Sequence, residues 1–174
     1  MTELRLLAEL IRERNSTEER ISEIISRPAS IGHLGEYIAG KIFDIELAKS
    51  ANLKSLDGWF ATGLLAGKSV NIKWYAKREG ILDMCTSDGP DYYLVLCGPA
   101  PDRLNQKRSR PWLIDMIFLF KHEHLVTNLT SKIGIASSVR EEIWNQHEIY
   151  PRCNNPLVNL TTEQISMIDL FRGN

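Results

Sequence analysis

Two short stretches of this sequence place an acid, an amide and a lysine where they can act together. They are Leu56-Asp57-Gly58-Trp59 and Ser69-Val70-Asn71-Ile72-Lys73-Trp74-Tyr75. In an extended strand, side chains alternate between the two faces, so Asn71 and Lys73 point the same way and the apolar residues between them point the other way. The glycine-containing segment 61–68 predicts a connection that folds the two stretches into a hairpin.

This hairpin would bring the carboxylate of Asp57 beside the amide oxygen of Asn71 and the ammonium group of Lys73. Oxygen ligands next to a lysine suit Mg²⁺ or Mn²⁺ that activates water against a phosphodiester. Each residue also has a simpler interpretation, because Asp57-Gly58 is a common turn sequence and Lys73 also suits an exposed position. The combination, and not any one residue, indicates a site.

A helix that precedes the hairpin carries a further acid, Glu36. We expect this helix to run from Ser30 to about Phe43, because apolar residues recur at helical spacing. Several small residues lie on other parts of its surface, and each glycine inside a helix costs roughly 1 kcal/mol. Close approach to a neighbouring sheet would explain them, and Glu36 lies on the side of the small residues Ala39 and Gly40.

The remaining pattern predicts an α/β chain. Strands are expected near 56–62, 68–77, 92–97 and 112–120, with a short one over 81–85 and a short helix or turn over 125–128. Ser138 would cap a helix through Val139, Ile143 and Trp144. Thr161 followed by Gln164 forms a capping box for a helix through Phe171.

The first 28 residues are predicted to be a helical extension, separate from a domain over 29–174. Leu4, Leu7 and Ile11 define one helix over 3–13, and Ser16 with Glu19 is a capping box for a second helix that ends at Arg27-Pro28. This helical pair would pack on the domain or on a second copy of it.

The composition of the chain limits the binding partners and the cellular compartment that can be expected. The formal net charge is −1, which argues against an overall nucleic-acid-binding coat but permits a local basic patch. The three cysteines lie far apart, so neither a zinc knuckle nor a redox motif is indicated. The sequence contains no apolar run long enough to cross a bilayer and no secretory signal, so a cytoplasmic protein without membrane contact is expected.

A polar loop over 100–111 supplies the basic patch. We expect its cations, together with Lys77 and Arg78, to contact the phosphates of a nucleic acid, although a solvated loop would have the same composition. The loop cations are Arg103, Lys107, Arg108 and Arg110.

Two other motifs carry little weight. The segment 63–69 is one residue short of a P-loop and precedes a strand pattern where that motif needs a helix. His122 and His124 are two apart, but no third ligand accompanies them, so zinc is not favoured.

Glu36, Asp57, Asn71 and Lys73, in that order, resemble the motif of the PD-(D/E)XK superfamily, whose fold is restriction endonuclease-like. The resemblance covers roughly residues 30–120. The pattern of the segments G-E-Y-I-A, S-L-D-G-W and V-N-I-K-W also looks like that of small prokaryotic members of the superfamily. It implies a mixed central sheet flanked by helices, with a core of helix, three antiparallel-ordered strands, helix and strand. Asn71 replaces the second acidic residue of the motif, and Leu56 stands at its proline.

The resemblance also implies an activity. Glu36, Asp57 and Asn71 would hold Mg²⁺ or Mn²⁺, and Lys73 would orient the attacking water or stabilise charge on phosphorus. The expected function is a metal-dependent DNA endonuclease in restriction, repair or defence. The alternative is a catalytically weak or inactive module of the same fold that binds nucleic acid or assembles a complex. A homodimer or a larger protein complex would fit either function.

Overall fold

A six-stranded mixed sheet forms the centre of the protein, seen in a computed structural model that describes residues 2–49, 55–85, 88–100, 110–129 and 133–173. The strand order is β1-β2-β3-β5-β6-β8, and β4 and β7 form a separate two-stranded sheet. None of the helices in the described ranges has both the length and the apolarity needed to span a membrane. The strands are β1 (Ile45–Leu47), β2 (Gly58–Phe60), β3 (Ser69–Tyr75), β4 (Ile81–Leu82), β5 (Tyr92–Cys97), β6 (Met116–Lys121), β7 (Ser137–Ser138) and β8 (Glu148–Tyr150), and the helices are α1 (Glu3–Ile25), α2 (Ile31–Ile42), α3 (His122–Asn128), α4 (Glu141–Gln146) and α5 (Thr162–Asp169).

The predicted α/β class with a mixed sheet and flanking helices is confirmed. Strands β1, β2 and β3 form an antiparallel meander, and β3 then pairs in parallel with β5. The predicted hairpin is therefore β2 and β3. Helix α2 begins where expected, with the Ser30 hydroxyl accepting a hydrogen bond from the His33 backbone N–H. The capping box of Thr161 and Gln164 also forms at the start of α5.

The predicted helical pair at the start of the chain is wrong, because α1 is one continuous helix of 23 residues. Neither proline nor glycine interrupts residues 3–25, and Asn, Ser and Thr lower helix stability by only a few tenths of a kcal/mol each. Arg14 and Glu18, one turn apart, form an ion pair at 2.8 Å across the predicted break. This ion pair favours continuing the helix over starting a new one at Ser16.

Three further predictions of secondary structure need correction. Residues 81–85 do not extend the central sheet, because Ile81 and Leu82 pair with Ser138 and Ser137 in the small sheet. Ser138 is thus a strand residue, and α4 starts after Arg140 instead. The strand predicted over 112–120 begins only at Met116. Strands β1 and β8 have three residues each and were not predicted.

The connection from β3 to β5 differs from the core that the resemblance implies. A helix was expected there, but the described part of this connection, residues 76–85 and 88–91, contains strand β4 and no helix. The restriction endonuclease-like fold therefore remains a prediction, although the order of helix, three-stranded meander and parallel strand agrees with it.

Two apolar clusters cover opposite faces of the sheet. The cluster on the α2 side contains alternate residues of β3, together with Ile38, Ala39 and Ile168 from α2 and α5. The other cluster lies under α3 and α4 and contains Phe118, Phe120 and Trp144. Because both faces are covered, β5 is buried along its whole length, as continuous apolar runs predict.

Helix α2 approaches β3 closely at Gly35. A Cβ atom added to Gly35 would lie 3.0 Å from the Cβ of Trp74, which is tighter than ordinary contact. The small residue in α2 therefore allows the helix to lie against the strand, as the sequence predicted. The next residue along this helix is Glu36, so the close approach also sets the position of that carboxylate.

Candidate active site

The hairpin places Asp57 directly opposite Asn71. Gly58 pairs with Val70 and Trp59 with Ser69 in the antiparallel register, and the same register continued by one residue sets Asp57 across from Asn71. The Asp57 backbone N–H donates to the Val70 carbonyl at 3.0 Å. The carboxylate is held as well, because the Ile72 backbone N–H donates to Asp57 Oδ2 at 2.6 Å.

Glu36 and Lys73 both lie within electrostatic range of Asp57. Burial raises the pKa of the Asp57 carboxyl above its usual value, the Ile72 N–H opposes this rise, and the negative charge of Glu36 adds to it. The positive charges of Lys73 and Arg27 lower the same pKa. The charges of α2 and of the hairpin therefore act on the same carboxyl, and the use of these residues as one site remains a prediction.

Asn71 is buried with an unused acceptor. Its residue is only 5% exposed, and its Oδ1 atom has no hydrogen-bond partner among the described residues. A buried amide oxygen without a partner costs about 1–3 kcal/mol, so such atoms are rare in native structures. A cation bound by this oxygen and by the Asp57 carboxylate across the hairpin would satisfy it, and oxygen donors of this kind fit Mg²⁺ or Mn²⁺.

Arg27 is the site residue that the sequence analysis missed. It lies between α1 and α2 and forms a hydrogen-bonded ion pair with Glu36. The side chain of Glu36 is 19% exposed, so this pairing offsets part of the cost of burying a carboxylate. Arg27-Pro28 was interpreted only as the end of a helix. The sequence signal that could have identified Arg27 is a cation in the connection between two predicted helices, nine residues before the acid Glu36.

The predicted phosphate-contacting residues lie in different surroundings. Lys77 pairs with Glu79 at 2.9 Å. The Arg78 side chain is 14% exposed, pairs with Glu141, and lies 5.4 Å from the centre of the Trp144 ring. Arg78 therefore has a structural role between β3 and α4, and its contact with nucleic acid remains a prediction.

The basic loop is described only at its end. Arg110 is exposed, and its charge acts on Glu79 near the end of β3. Arg103, Lys107 and Arg108 lie outside the described residues, so their contact with phosphate remains a prediction.

Two tyrosines lie on the face of the sheet that carries Asn71 and Lys73: Tyr75 follows Lys73 on β3, and Tyr93 lies beside Asn71 on β5. The hydroxyl oxygen of Tyr75 accepts a hydrogen bond from the Asp83 backbone N–H at 3.0 Å, and that of Tyr93 accepts one from Cys85 N–H at 3.1 Å. Burial raises the pKa of both phenols, so both are neutral at physiological pH. These bonds attach the connection between β3 and β5 to the sheet.

The two histidines that are two apart in sequence do not act as a pair. Both lie in α3, where residues at this spacing point in different directions, and not on a strand. His124 Nδ1 lies 3.0 Å from Nε2 of His147, whereas the ring of His122 packs against Tyr93. The pair that forms is therefore His124 with His147, well separated in sequence from each other.

Comparisons with known proteins leave the site to be judged on its geometry. No model of a protein family matches this chain, and the search of curated proteins found no similar sequence.

Proposed function

We propose that this chain is a metal-dependent nuclease that hydrolyses phosphodiester bonds in DNA. The observation that supports this function best is that the charges of Glu36 and Lys73 act on Asp57, which lies across the hairpin from Asn71, a buried residue whose amide oxygen has no partner among the described residues. A core position that held only apolar contacts would not need these four side chains. The residues also follow the order of the PD-(D/E)XK motif.

The side chains would divide the chemistry among them. Glu36, Asp57 and Asn71 would hold Mg²⁺ or Mn²⁺ through oxygen, and a cation bound there lowers the pKa of a water molecule and polarises the scissile phosphate. The hydrogen bond from Ile72 N–H orients the Asp57 carboxylate before any ligand arrives. Lys73 would orient the attacking water or stabilise the negative charge that develops on the phosphate oxygens.

A specific observation favours a second function, a nucleic-acid-binding or assembly module of the same fold with little or no catalysis. Asn71 brings no charge to the site, and Arg27 already neutralises Glu36. Affinity for a divalent cation falls when the site has fewer charged ligands. The module would keep its fold, because the hairpin and α2 pack without a metal.

Plasmid nicking tests the first function. We expect cleavage of supercoiled DNA with Mg²⁺ or Mn²⁺ and loss of about 100-fold or more in rate for Asp57→Asn and Lys73→Ala. Lys68→Ala is a matched control, because Lys68 lies on the same hairpin but pairs with Asp91 at 3.4 Å. Normal cleavage by both site variants would disprove the assignment. A wild type that binds DNA and metal without cutting would favour the second function.

DNA as the partner has its own test. Replacing Arg103, Lys107, Arg108 and Arg110 with Gln should weaken DNA binding and reduce its salt dependence by about one unit of log–log slope for each lost phosphate contact. An unchanged slope would mean that the loop is solvated and makes no such contact.

A further inference from the structure

Helix α1 exposes a large apolar surface. Only Ile25 of its 23 residues is buried, although its first half is rich in leucine. Leu4 is 77% exposed, and Leu7 and Leu10 are about half exposed at 53% and 52%. Near the other end, Ile24 is 68% exposed. Contiguous exposed apolar residues of this kind mark an interaction surface.

One set of residues along α1 follows the spacing of a helix that pairs with another helix. Its apolar members Leu7, Leu10 and Ile24 are exposed, and Ile21 is half-buried within one copy. Positions alternately three and four apart form one seam along α1. The seam begins and ends with apolar residues and is polar in its middle. Its members are Leu7, Leu10, Arg14, Thr17, Ile21 and Ile24. Over 23 residues the helix is about 35 Å long, and a seam of this length can hold a partner helix.

We propose that a second copy of this chain docks on this seam, with the two α1 helices antiparallel. In this arrangement Leu7 of one copy lies opposite Ile24 of the other, and Leu10 lies opposite Ile21. Because the arrangement has two-fold symmetry, each contact occurs twice. The leucine-rich half of each helix covers the isoleucine-rich half of the other, so the exposed side chains of Leu7, Leu10 and Ile24 gain apolar partners.

The charges along α1 favour the antiparallel direction. With the helices antiparallel, Arg14 faces Thr17 and reaches Glu18 of the other copy, and Glu13 flanks Arg20 of the other copy. Parallel helices would instead set Arg14 against Arg14 and Glu13 against Glu18, which are like charges. Flanking charges select the partner and orientation of paired helices. The sequence of α1 is therefore complementary to itself in only one of the two directions.

The first experiment measures the mass of the full chain in solution by light scattering during gel filtration. We expect a dimer for the wild type and a monomer for Leu10→Lys, with circular dichroism showing an unchanged fold because Leu10 is half exposed within one copy. Glu19→Arg is the matched control, since Glu19 lies on the outer side of α1 and should leave the dimer intact. If the wild type were a monomer at about 100 μM, the proposal would be overturned.

A charge exchange tests the orientation. Glu13→Arg should weaken the dimer by about tenfold, because it replaces two attractive pairs with two repulsive ones. Adding Arg20→Glu to the same chain should restore the wild-type dissociation constant. If the double variant stays as weak as Glu13→Arg, the two residues do not meet and the antiparallel arrangement is wrong.

Cross-linking gives an independent readout. In a Cys153→Ser background, which removes the exposed native thiol, Leu7→Cys and Ile24→Cys chains should form a disulfide with each other when they are mixed. The Leu7→Cys chain alone should not cross-link. A disulfide between two Leu7→Cys chains would show parallel helices and reject the proposed interface.

Discussion

The two faces of β3 differ in what they bury. On the side of α2, Val70, Ile72 and Trp74 belong to one apolar cluster of the core. On the opposite side, Asn71, Lys73 and Tyr75 carry an amide, an ammonium group and a phenol. One strand thus separates the residues that stabilise the fold from those that can do chemistry, and its two-residue period keeps the two sets apart.

The polar face has a cost that the apolar face does not have. Asn71 is as well buried as its apolar neighbours, yet its Oδ1 atom lacks a partner among the described residues. Such an atom requires an explanation, and a bound ion, an ordered water or a catalytic role can supply it. If the two faces of β3 have separate roles, substitutions on the α2 side should change stability and substitutions on the other side should change metal binding and catalysis.

The largest effect on stability should come from the apolar face. Trp74→Ala removes a buried ring and the hydrogen bond from its Nε1 to the Leu113 carbonyl, and should lower the free energy of unfolding by about 3–5 kcal/mol. Trp59→Ala, a matched change on the neighbouring strand where the ring is 38% exposed, should cost much less. Urea denaturation measures both. Equal losses of unfolding free energy in the two variants would show that Trp74 does not stabilise the fold more than the half-exposed Trp59.

The next largest effect should come from an added charge on the polar face. Asn71→Asp supplies a further carboxylate and should tighten Mn²⁺ binding by on the order of tenfold, and with it raise or create cleavage. Calorimetric titration with Mn²⁺ measures the affinity.

Asn71→Leu is the matched control for that change. It removes the amide oxygen that has no partner among the described residues and alters the size of the side chain little. It should therefore stabilise the metal-free protein by about 1–3 kcal/mol and weaken Mn²⁺ binding. If the leucine variant bound Mn²⁺ as well as the wild type, Asn71 could not be a ligand.

A smaller effect is expected where α2 touches the apolar face. Gly35→Ala adds a methyl group 3.0 Å from the Trp74 Cβ, which the strand backbone holds in place, and the resulting strain should exceed the gain in helix propensity by about 1 kcal/mol. Gly32→Ala in the same helix meets no atom within 4 Å and should be stabilising. Thermal unfolding of the two variants should therefore shift in opposite directions.

The smallest effect is a pH-dependent change at Asp57. Burial raises the pKa of this carboxyl above its usual value of 3.8, so the folded chain holds a proton more tightly than the unfolded chain. The contribution of Asp57 to stability therefore falls as the pH rises from about 3.8 through the folded pKa. Asp57→Asn keeps an acceptor for Ile72 N–H and should raise the melting temperature at pH 7 but not at pH 3.

Asp91 supplies the opposite case. Burial opposes its ionisation, but hydrogen bonds from the Ser69 backbone and hydroxyl and the charge of Lys68 outweigh it and lower the pKa of Asp91. Its stabilising effect is present at neutral pH and is lost as the pH falls through that lowered pKa. Asp91→Asn should therefore lower the melting temperature at pH 7. If the melting temperature at pH 7 changed in the same direction in Asp57→Asn and in Asp91→Asn, the opposite pKa shifts of the two carboxyls would be contradicted.

Local patterns predicted the parts of the fold that local interactions determine. Ser30 caps α2, Thr161 and Gln164 cap α5, and a glycine-containing connection joins the hairpin, so each element could be placed from a few neighbouring residues. The opposition of Asp57 and Asn71 follows from that hairpin. For the same reason, the sequence predicted the core of the candidate site better than its surroundings.

Contacts between distant segments could not be predicted. Arg78 looked like an exposed cation because Trp144, against which it lies, is 66 positions later in the chain. The pairing of Arg27 with Glu36 depends on how α1 turns into α2, and β4 joins β7 across more than fifty residues. A sequence pattern indicates which face of an element is apolar, but not which other element covers it.

Gln164 has a consequence for the order in which the protein folds. Its side chain completes the capping box of α5 and also donates from Nε2 to the carbonyl of Ile42 at the end of α2, 122 positions earlier. A helix forms within microseconds, but closing so long a loop is slow because the chain loses much conformational entropy first. We therefore expect the docking of α5, which brings Ile168 into the core beside α2, to be a late event that leaves the hairpin and α2 without part of their apolar cover until then.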